Sequence, residues 1–132
     1  MNKFFTIATI LLLAIAAGEA SAAVTCVMQA SGTTETWTNE LGSTAKLTVD
    51  ANGNVTGTYT DGSGTGSAGP LIGYCNGYAI TFTVAWTGSQ SITAWSGTGS
   101  KKSITTLWYL VDGSSSKWSN TNAGTDTFTL KK

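Results

Sequence analysis

The chain has 132 residues, a length that suits one domain, and its seven lysines balance seven acidic residues to a net charge of zero. It has no arginine and no histidine, which argues against a nucleic-acid surface and removes histidine from any metal site and from any Ser-His or Cys-His catalytic pair. Charged residues make up only 11% against 41% apolar, a balance unlike a disordered chain, and 16 glycines with a single proline point to short strands and tight turns.

Lys3 precedes an apolar run from Phe4 to Ala17. The run is too short to span a bilayer comfortably and suits the core of a signal peptide. Ala20-Ser21-Ala22 reads as an A-x-A cleavage site, so a signal peptide is expected over 1–22 and a single mature domain over 23–132. A membrane anchor is the alternative. Thr25-Cys26 makes a poor lipoprotein site, because the residues before the cysteine are Ala-Val-Thr. Export implies a secreted or periplasmic protein in an oxidising setting. Cys26 and Cys75 both fall in the mature chain, so one disulfide is permitted, and free or intermolecular thiols stay open.

After Ala23 no stretch sustains a 3.6-residue apolar period, whereas alternation with period two recurs throughout. The first strand is expected over Thr36–Leu41. Ser43–Asp50 and Asn54–Asp61 follow, joined at Asn52-Gly53, a pair suited to a type I′ hairpin turn. Asp61–Gly69 is a loop of Gly, Ser, Thr and Ala. Leu71–Cys75 and Tyr78–Thr87 flank a second Asn-Gly pair, Asn76-Gly77. Ser91–Thr98, Ser103–Val111 and Ala123–Lys131 complete eight strands with short connections. This is an all-β chain, and eight consecutive antiparallel strands predict an up-and-down β-barrel, which removes exposed sheet edges. A two-sheet sandwich is the competing architecture.

Residues two apart on a strand share a face. Ile80, Phe82, Val84 and Trp86 must face inward, because Ala79, Thr81, Thr83 and Ala85 oppose them. The same parity groups Trp37 with Asn39 and Leu41, Ser43 with Leu47, and Thr93 with Ser91 and Trp95. It groups Tyr59 with Asp61, Trp108 with Leu110, and Asp126 with Phe128. Asn39, Ser43, Tyr59, Asp61 and Asp126 therefore fall on inward faces near strand ends. Buried polar groups destabilise unless hydrogen-bonded. They either satisfy one another and water, or form a polar floor for a ligand head with Trp86, Trp95 and Trp108 as apolar walls.

The segment Trp37-Thr-Asn-Glu-Leu-Gly-Ser43 resembles the opening motif of the avidin and streptavidin family. So do Gly57-Thr-Tyr59, Thr83-Val-Ala-Trp86, Thr93-Ala-Trp95-Ser-Gly97, Thr106-Leu-Trp108-Tyr-Leu110 and Gly124-Thr-Asp126-Thr-Phe128. The matches run in order from residue 37 to 128, nearly the whole expected mature domain. The resemblance implies biotin as the ligand, with no cofactor and no metal. It implies that Asn39, Ser43 and Tyr59 donate to the ureido oxygen and that Asp126 accepts a ureido N–H. Thr93 would face the ring sulfur and Ser91 the tail carboxylate. Trp86, Trp95, Trp108 and Leu110 would enclose the ring and chain, with Leu41 near the floor. Trp118 resembles the tryptophan that reaches into a neighbouring subunit's site, which implies a homotetramer rather than a dimer. Leu107, Ala123 and Thr125 resemble a small contact between barrel pairs.

The chain also departs from the family's best-known members. Asp61 stands where they carry Ser or Thr, and its carboxylate can accept the second ureido N–H. The glycine-rich loop Gly62–Gly69 is shorter than in streptavidin, with Ser63 and Gly64 placed to offer backbone contacts to the tail. Closing so glycine-rich a loop costs more entropy, so biotin binding weaker than in the tightest members is expected. The cysteine positions differ from the familiar family pattern, so the resemblance leaves the Cys26–Cys75 pairing undecided. Four other readings compete. Asp61 and Asp126 would be a glycosidase-like pair in an enzyme. Tryptophans on an open face would mark a carbohydrate-binding module. The same barrel would also serve a different small amphipathic ligand, or only a structural role if its interior fills itself.

Overall fold

The computed structural model describes residues 23–132. The expected signal peptide lies outside the described residues. Eight strands follow one another: β1 (Thr34–Thr38), β2 (Thr44–Val49), β3 (Asn54–Thr60), β4 (Ala68–Asn76), β5 (Ala79–Ala85), β6 (Ser91–Gly99), β7 (Ser103–Asp112) and β8 (Thr121–Leu130). Each pairs antiparallel with the next, and β8 returns to β1, so the sheet is a closed barrel rather than a sandwich. The seam is short: Trp37 stands opposite Leu130 and Thr38 opposite Thr129. The Lys131 amide donates to the Thr36 carbonyl at 2.8 Å just beyond it. Closure leaves no edge strand to recruit another chain.

The alternation in the sequence maps onto inside and outside. Ile80, Phe82 and Val84 are buried, as are Leu47 and Val49, Ile104 and Phe128. Trp37, completely buried, anchors β1. Tyr59 and Phe82 both stack on the Trp95 indole, with centroids 4.8 and 5.1 Å away. Offset stacking of this kind adds to the burial term.

The two Asn-Gly pairs turn the chain differently from expectation. Among the described residues none other than glycine has positive φ, so neither is a type I′ turn, which requires positive φ at both central residues. At β2–β3 the Gly53 amide donates to the Asp50 carbonyl at 3.1 Å, and Gly53 alone takes a left-handed φ of 80°. This is a type I turn closed by a left-handed glycine. The Asp50 carboxylate fixes it by accepting from the Asn52 and Asn54 amides, which holds its pKa below the usual range with the Asn54 side chain as the largest cause. At β4–β5 Asn76 belongs to the strand and stands opposite Ala79, so Gly77-Tyr78 is the turn. Gly77, at φ 59°, takes the first central position, as a type II′ turn prefers.

The barrel therefore has two unlike ends. The β1–β2, β3–β4, β5–β6 and β7–β8 connections gather at one end. The tight β2–β3, β4–β5 and β6–β7 turns gather at the other, where residues 25–30 lie as a strap. Cys26 bridges to Gly77 in parallel, and the Val27 amide donates to the Gly77 carbonyl at 2.9 Å. Cys26 and Cys75 form a disulfide with Cα atoms 5.4 Å apart. Within the strap Met28 and Gln29 are buried against the barrel, and Gln29 Nε2 donates to the Leu47 carbonyl at 2.7 Å.

The disulfide closes a loop across 49 positions of sequence. In the chain-entropy account a loop of that length stabilises by up to about 4 kcal/mol. Denaturant unfolding of the Cys26→Ser/Cys75→Ser variant should show a loss of about 2–4 kcal/mol. An unchanged midpoint would mean that the strap contributes nothing to global stability.

Candidate functional site

Asn39 lies just past the end of β1, where a tight turn reverses the chain into β2. Its Oδ1 accepts the amides of Leu41 at 3.1 Å and Ser43 at 2.8 Å, and its carbonyl accepts the Gly42 amide at 3.0 Å. Two backbone donors on Oδ1 fix the amide's orientation, because the reverse would set N–H against N–H. The Nδ2 hydrogens therefore point inward, and Nδ2 lies 3.4 Å from the Tyr59 hydroxyl. Ser43 stands immediately before β2 and is buried. Its Oγ accepts the Gly62 amide at 3.0 Å and donates toward Asp61 Oδ1 at 3.4 Å.

Tyr59 is buried on the inner face of β3. Burial pushes its phenol up to about 12; the Ser43 hydroxyl opposes this, and the carboxylates of Asp126, Asp61 and Glu40 add to it. Across the barrel, Asp126 on β8 is buried, and its Oδ2 accepts the Trp95 indole N–H at 2.8 Å. Trp86 Nε1 donates to Thr93 Oγ1 at 2.7 Å, and the Trp86 and Tyr59 rings meet edge to face at 5.5 Å. Gly124, opposite Trp108 in register, leaves the space that the Trp108 indole occupies: a Cβ there would lie 2.7 Å from Trp108 Cζ2.

Above these residues a cavity of about 350 Å³ opens between the β3–β4 and β5–β6 loops. Asp61, Trp86, Ser91 and Leu110 line it. The Asp61 carboxylate accepts the hydroxyls of Ser63 and of Thr65, the latter at 3.1 Å. The Ser63 hydroxyl is the chief cause holding Asp61 below the usual carboxylate range. A larger cleft lies at the strap end, remote from this polar group. The site is therefore assigned by convergence of polar atoms, not by cavity size.

Of the residues singled out in the sequence, Asn39, Ser43, Tyr59, Thr93, Trp95 and Asp126 form the buried floor. Asp61, Trp86, Ser91 and Leu110 form the cavity wall, and Trp108 is half-buried against the core. One placement differs from expectation. Leu41 is 69% exposed in the β1–β2 turn, because β1 ends at Thr38 and alternation stops with it. Ser63 is exposed on the β3–β4 loop with its hydroxyl on Asp61, which leaves its backbone as the part that could meet a tail. Trp118 is 82% exposed on the β7–β8 loop and does not line its own chain's cavity. Ser67, Thr87, Gly88 and Ser89 do line it and were not foreseen, since loop residues carry no alternation signal. Thr106, which the sequence marks only as the start of a family motif, is buried, and its Oγ1 donates to the Asp126 carbonyl at 3.3 Å and steadies that residue.

Only the folded chain should keep the Tyr59 proton between pH 10 and about 12. Stability that is fully present below pH 10 is therefore lost as pH rises through that window. An absorbance titration should show a tyrosinate step near 12 that is missing in Tyr59→Phe. If the variant's titration curve kept that step, Tyr59 would not be the raised group.

A family model described as the avidin family matches residues 27–131. Afifavidin from Afifella pfennigii is 40% identical over 107 residues, which cover 71% of this chain and 66% of that protein. The alignment thus spans just under two thirds of that relative's length. Among solved structures, core-bradavidin superposes with a TM-score of 0.68 at 34% identity, covering 75% of this chain and 100% of that one. A rhizavidin–biotin complex superposes with a TM-score of 0.65 at 33% identity, covering 79% of this chain and 97% of that one. The family model spans nearly all of the described barrel, and the chain belongs to the avidin family.

Proposed function

We propose that the protein captures biotin at the wide-looped end of the barrel and performs no catalysis. The observation that carries this reading is the arrangement of spare hydrogen-bonding capacity on the buried floor. Asn39 Nδ2, the Ser43 hydroxyl and the Tyr59 phenol are donors, and Tyr59 stays protonated far above neutral pH. Three donors on one ureido oxygen stabilise its partial negative charge, and more strongly in a site without water. Asp126 has one oxygen on Trp95 and a second left to accept a ureido N–H. Thr93 accepts from Trp86, so its own hydroxyl hydrogen is left for the ring sulfur. Ser91 and Leu110 line the route of the tail. Membership of the avidin family and the biotin held by rhizavidin support the same assignment.

Asp61 gives the site its own character. Ser43 directs its hydroxyl toward Asp61, so donating to a ureido oxygen requires that contact to be given up. The released carboxylate oxygen then accepts the second ureido N–H. Leu41 and Ser63 act only from the rim. The two aspartates are not an acid–base pair in this reading: Asp126 is held by an indole N–H and Asp61 by hydroxyls, and both serve as acceptors.

The chain is read as exported, with the Cys26–Cys75 bridge as support. The proposed assembly is a homotetramer, in which Trp118 covers a neighbour's cavity rather than its own. Trp118 is mostly exposed within one chain, and Leu107 and Tyr109 face outward opposite Thr125 and Ala123.

Calorimetric titration of ligand-free protein should give one enthalpy-driven biotin site per chain. Absence of heat from folded, ligand-free protein would overturn the assignment. Asp126→Ala should weaken binding by about 10–100-fold, the effect of losing a charged buried acceptor. Trp118→Ala should speed biotin release, measured by chase with unlabelled ligand. An unchanged release rate would contradict the neighbour's lid, and light scattering would then separate dimer from tetramer.

A further inference from the structure

The strap end of the barrel contains a cleft of about 630 Å³, formed by residues 25–30 with Glu35, Lys101 and Leu130. Two of its lining side chains carry buried oxygens with no hydrogen-bond partner among the described residues: Gln29 Oε1 and Glu35 Oε2. Gln29 is only 5% exposed. Its Nε2 uses both hydrogens, one on the Leu47 carbonyl at 2.7 Å and one on the Thr33 carbonyl at 2.5 Å. A flipped amide would set Oε1 against two carbonyl oxygens, so Oε1 is necessarily the atom left over. Glu35 stands opposite Leu47 in the β1–β2 register, which brings its strand position beside the carbonyl that holds Gln29.

A buried acceptor without a donor is destabilising and calls for an explanation. Here there are two, one of them on a carboxyl group, beside buried Met28 and the core-packed Leu130. Such a lining is complementary to a group with several N–H donors and a positive charge, attached to a short apolar body. We propose that this cleft is a second binding site, separate from the biotin cavity, for a small primary ammonium. Both oxygens are closed off from solvent in the free protein, so the ammonium donates to Gln29 Oε1 and Glu35 Oε2 as the strap shifts aside, and the apolar body lies on Met28 and Leu130. Lys101 is the only cation among the described lining residues, and as an exposed side chain at the rim it is the internal competitor for Glu35.

The inference does not rest on the ligand at the other end, so the test is run with and without biotin. Amide chemical shifts are followed while n-butylammonium is added, with n-butanol as the uncharged match. Saturable shifts confined to the strap, Glu35 and the β6–β7 turn are expected, with millimolar affinity and butanol at least about tenfold weaker. Glu35→Gln should weaken the amine by about tenfold and leave butanol unchanged. No saturable shift up to about 100 mM amine would overturn the site. Equal binding of butanol would reduce it to an apolar crevice. Shifts seen only in Lys101→Met would mean that Lys101 fills the site itself, which also overturns the proposal. If Glu35→Gln fails to fold, the amine–butanol comparison on the unaltered protein decides.

Discussion

A polar side chain buried in an apolar barrel must be hydrogen-bonded, and the wide-looped end of this barrel is organised around that constraint. Asn39, Ser43, Tyr59 and Asp126 sit, with Thr93 and Thr106, in an interior built mainly of Trp, Phe, Leu, Ile and Val. Three of them commit part of their capacity to a firm protein partner. Asn39 uses its oxygen on backbone amides, Ser43 its lone pair on Gly62, and Asp126 one oxygen on Trp95. Tyr59 is fixed differently, by stacking on Trp95 and by contact with Asn39. The unused capacity cannot turn elsewhere, because the first bond or the packing fixes each side chain. Apart from the Ser43 hydroxyl, which has to leave Asp61, a set of donors and acceptors is thereby presented in a fixed pattern before any ligand arrives, and little other reorganisation remains for binding.

The barrel supplies the rigidity this requires. Trp95 packs between functions: its ring takes the stacking of Tyr59 and Phe82, while its N–H holds Asp126. A shift in the aromatic core would therefore move the polar floor. The far end is fixed by different means, through the disulfide, the bridge to Gly77 and the Gln29 amide. Loop freedom is thus concentrated where a ligand enters. Asp61 couples the two regions of the site, since it binds Ser43 below and the loop hydroxyls of Ser63 and Thr65 above.

Strand number, inward faces and most of the floor were legible in the sequence because period-two alternation is a local property. Phe82 and Val84 against Thr81 and Thr83 leave no choice of face. Legibility fails where the strands stop. Leu41 was assigned inward by extending β1 through Asn39, but the Asn39 turn ends the strand and projects Leu41 outward. The Asn-Gly pairs marked hairpins correctly, yet their turn types depend on register, which a dipeptide does not carry. At β4–β5 the pairing of Asn76 with Ala79 moves the turn one residue on. The strap was invisible for a related reason. Met28 and Gln29 are buried by a tether to Gly77, a contact about fifty positions away that no alternation announces.

The central claim is that the buried floor reads the ureido group through capacity already set aside in the free protein. A crystal structure of the biotin-saturated protein tests it most directly. The account predicts one ureido oxygen within hydrogen-bonding distance of Asn39 Nδ2, Ser43 Oγ and the Tyr59 hydroxyl. It also predicts an N–H on the free oxygen of Asp126, and Ser43 released from Asp61. Biotin bound with its ureido group away from these atoms, or with the Ser43–Asp61 contact intact, would contradict it.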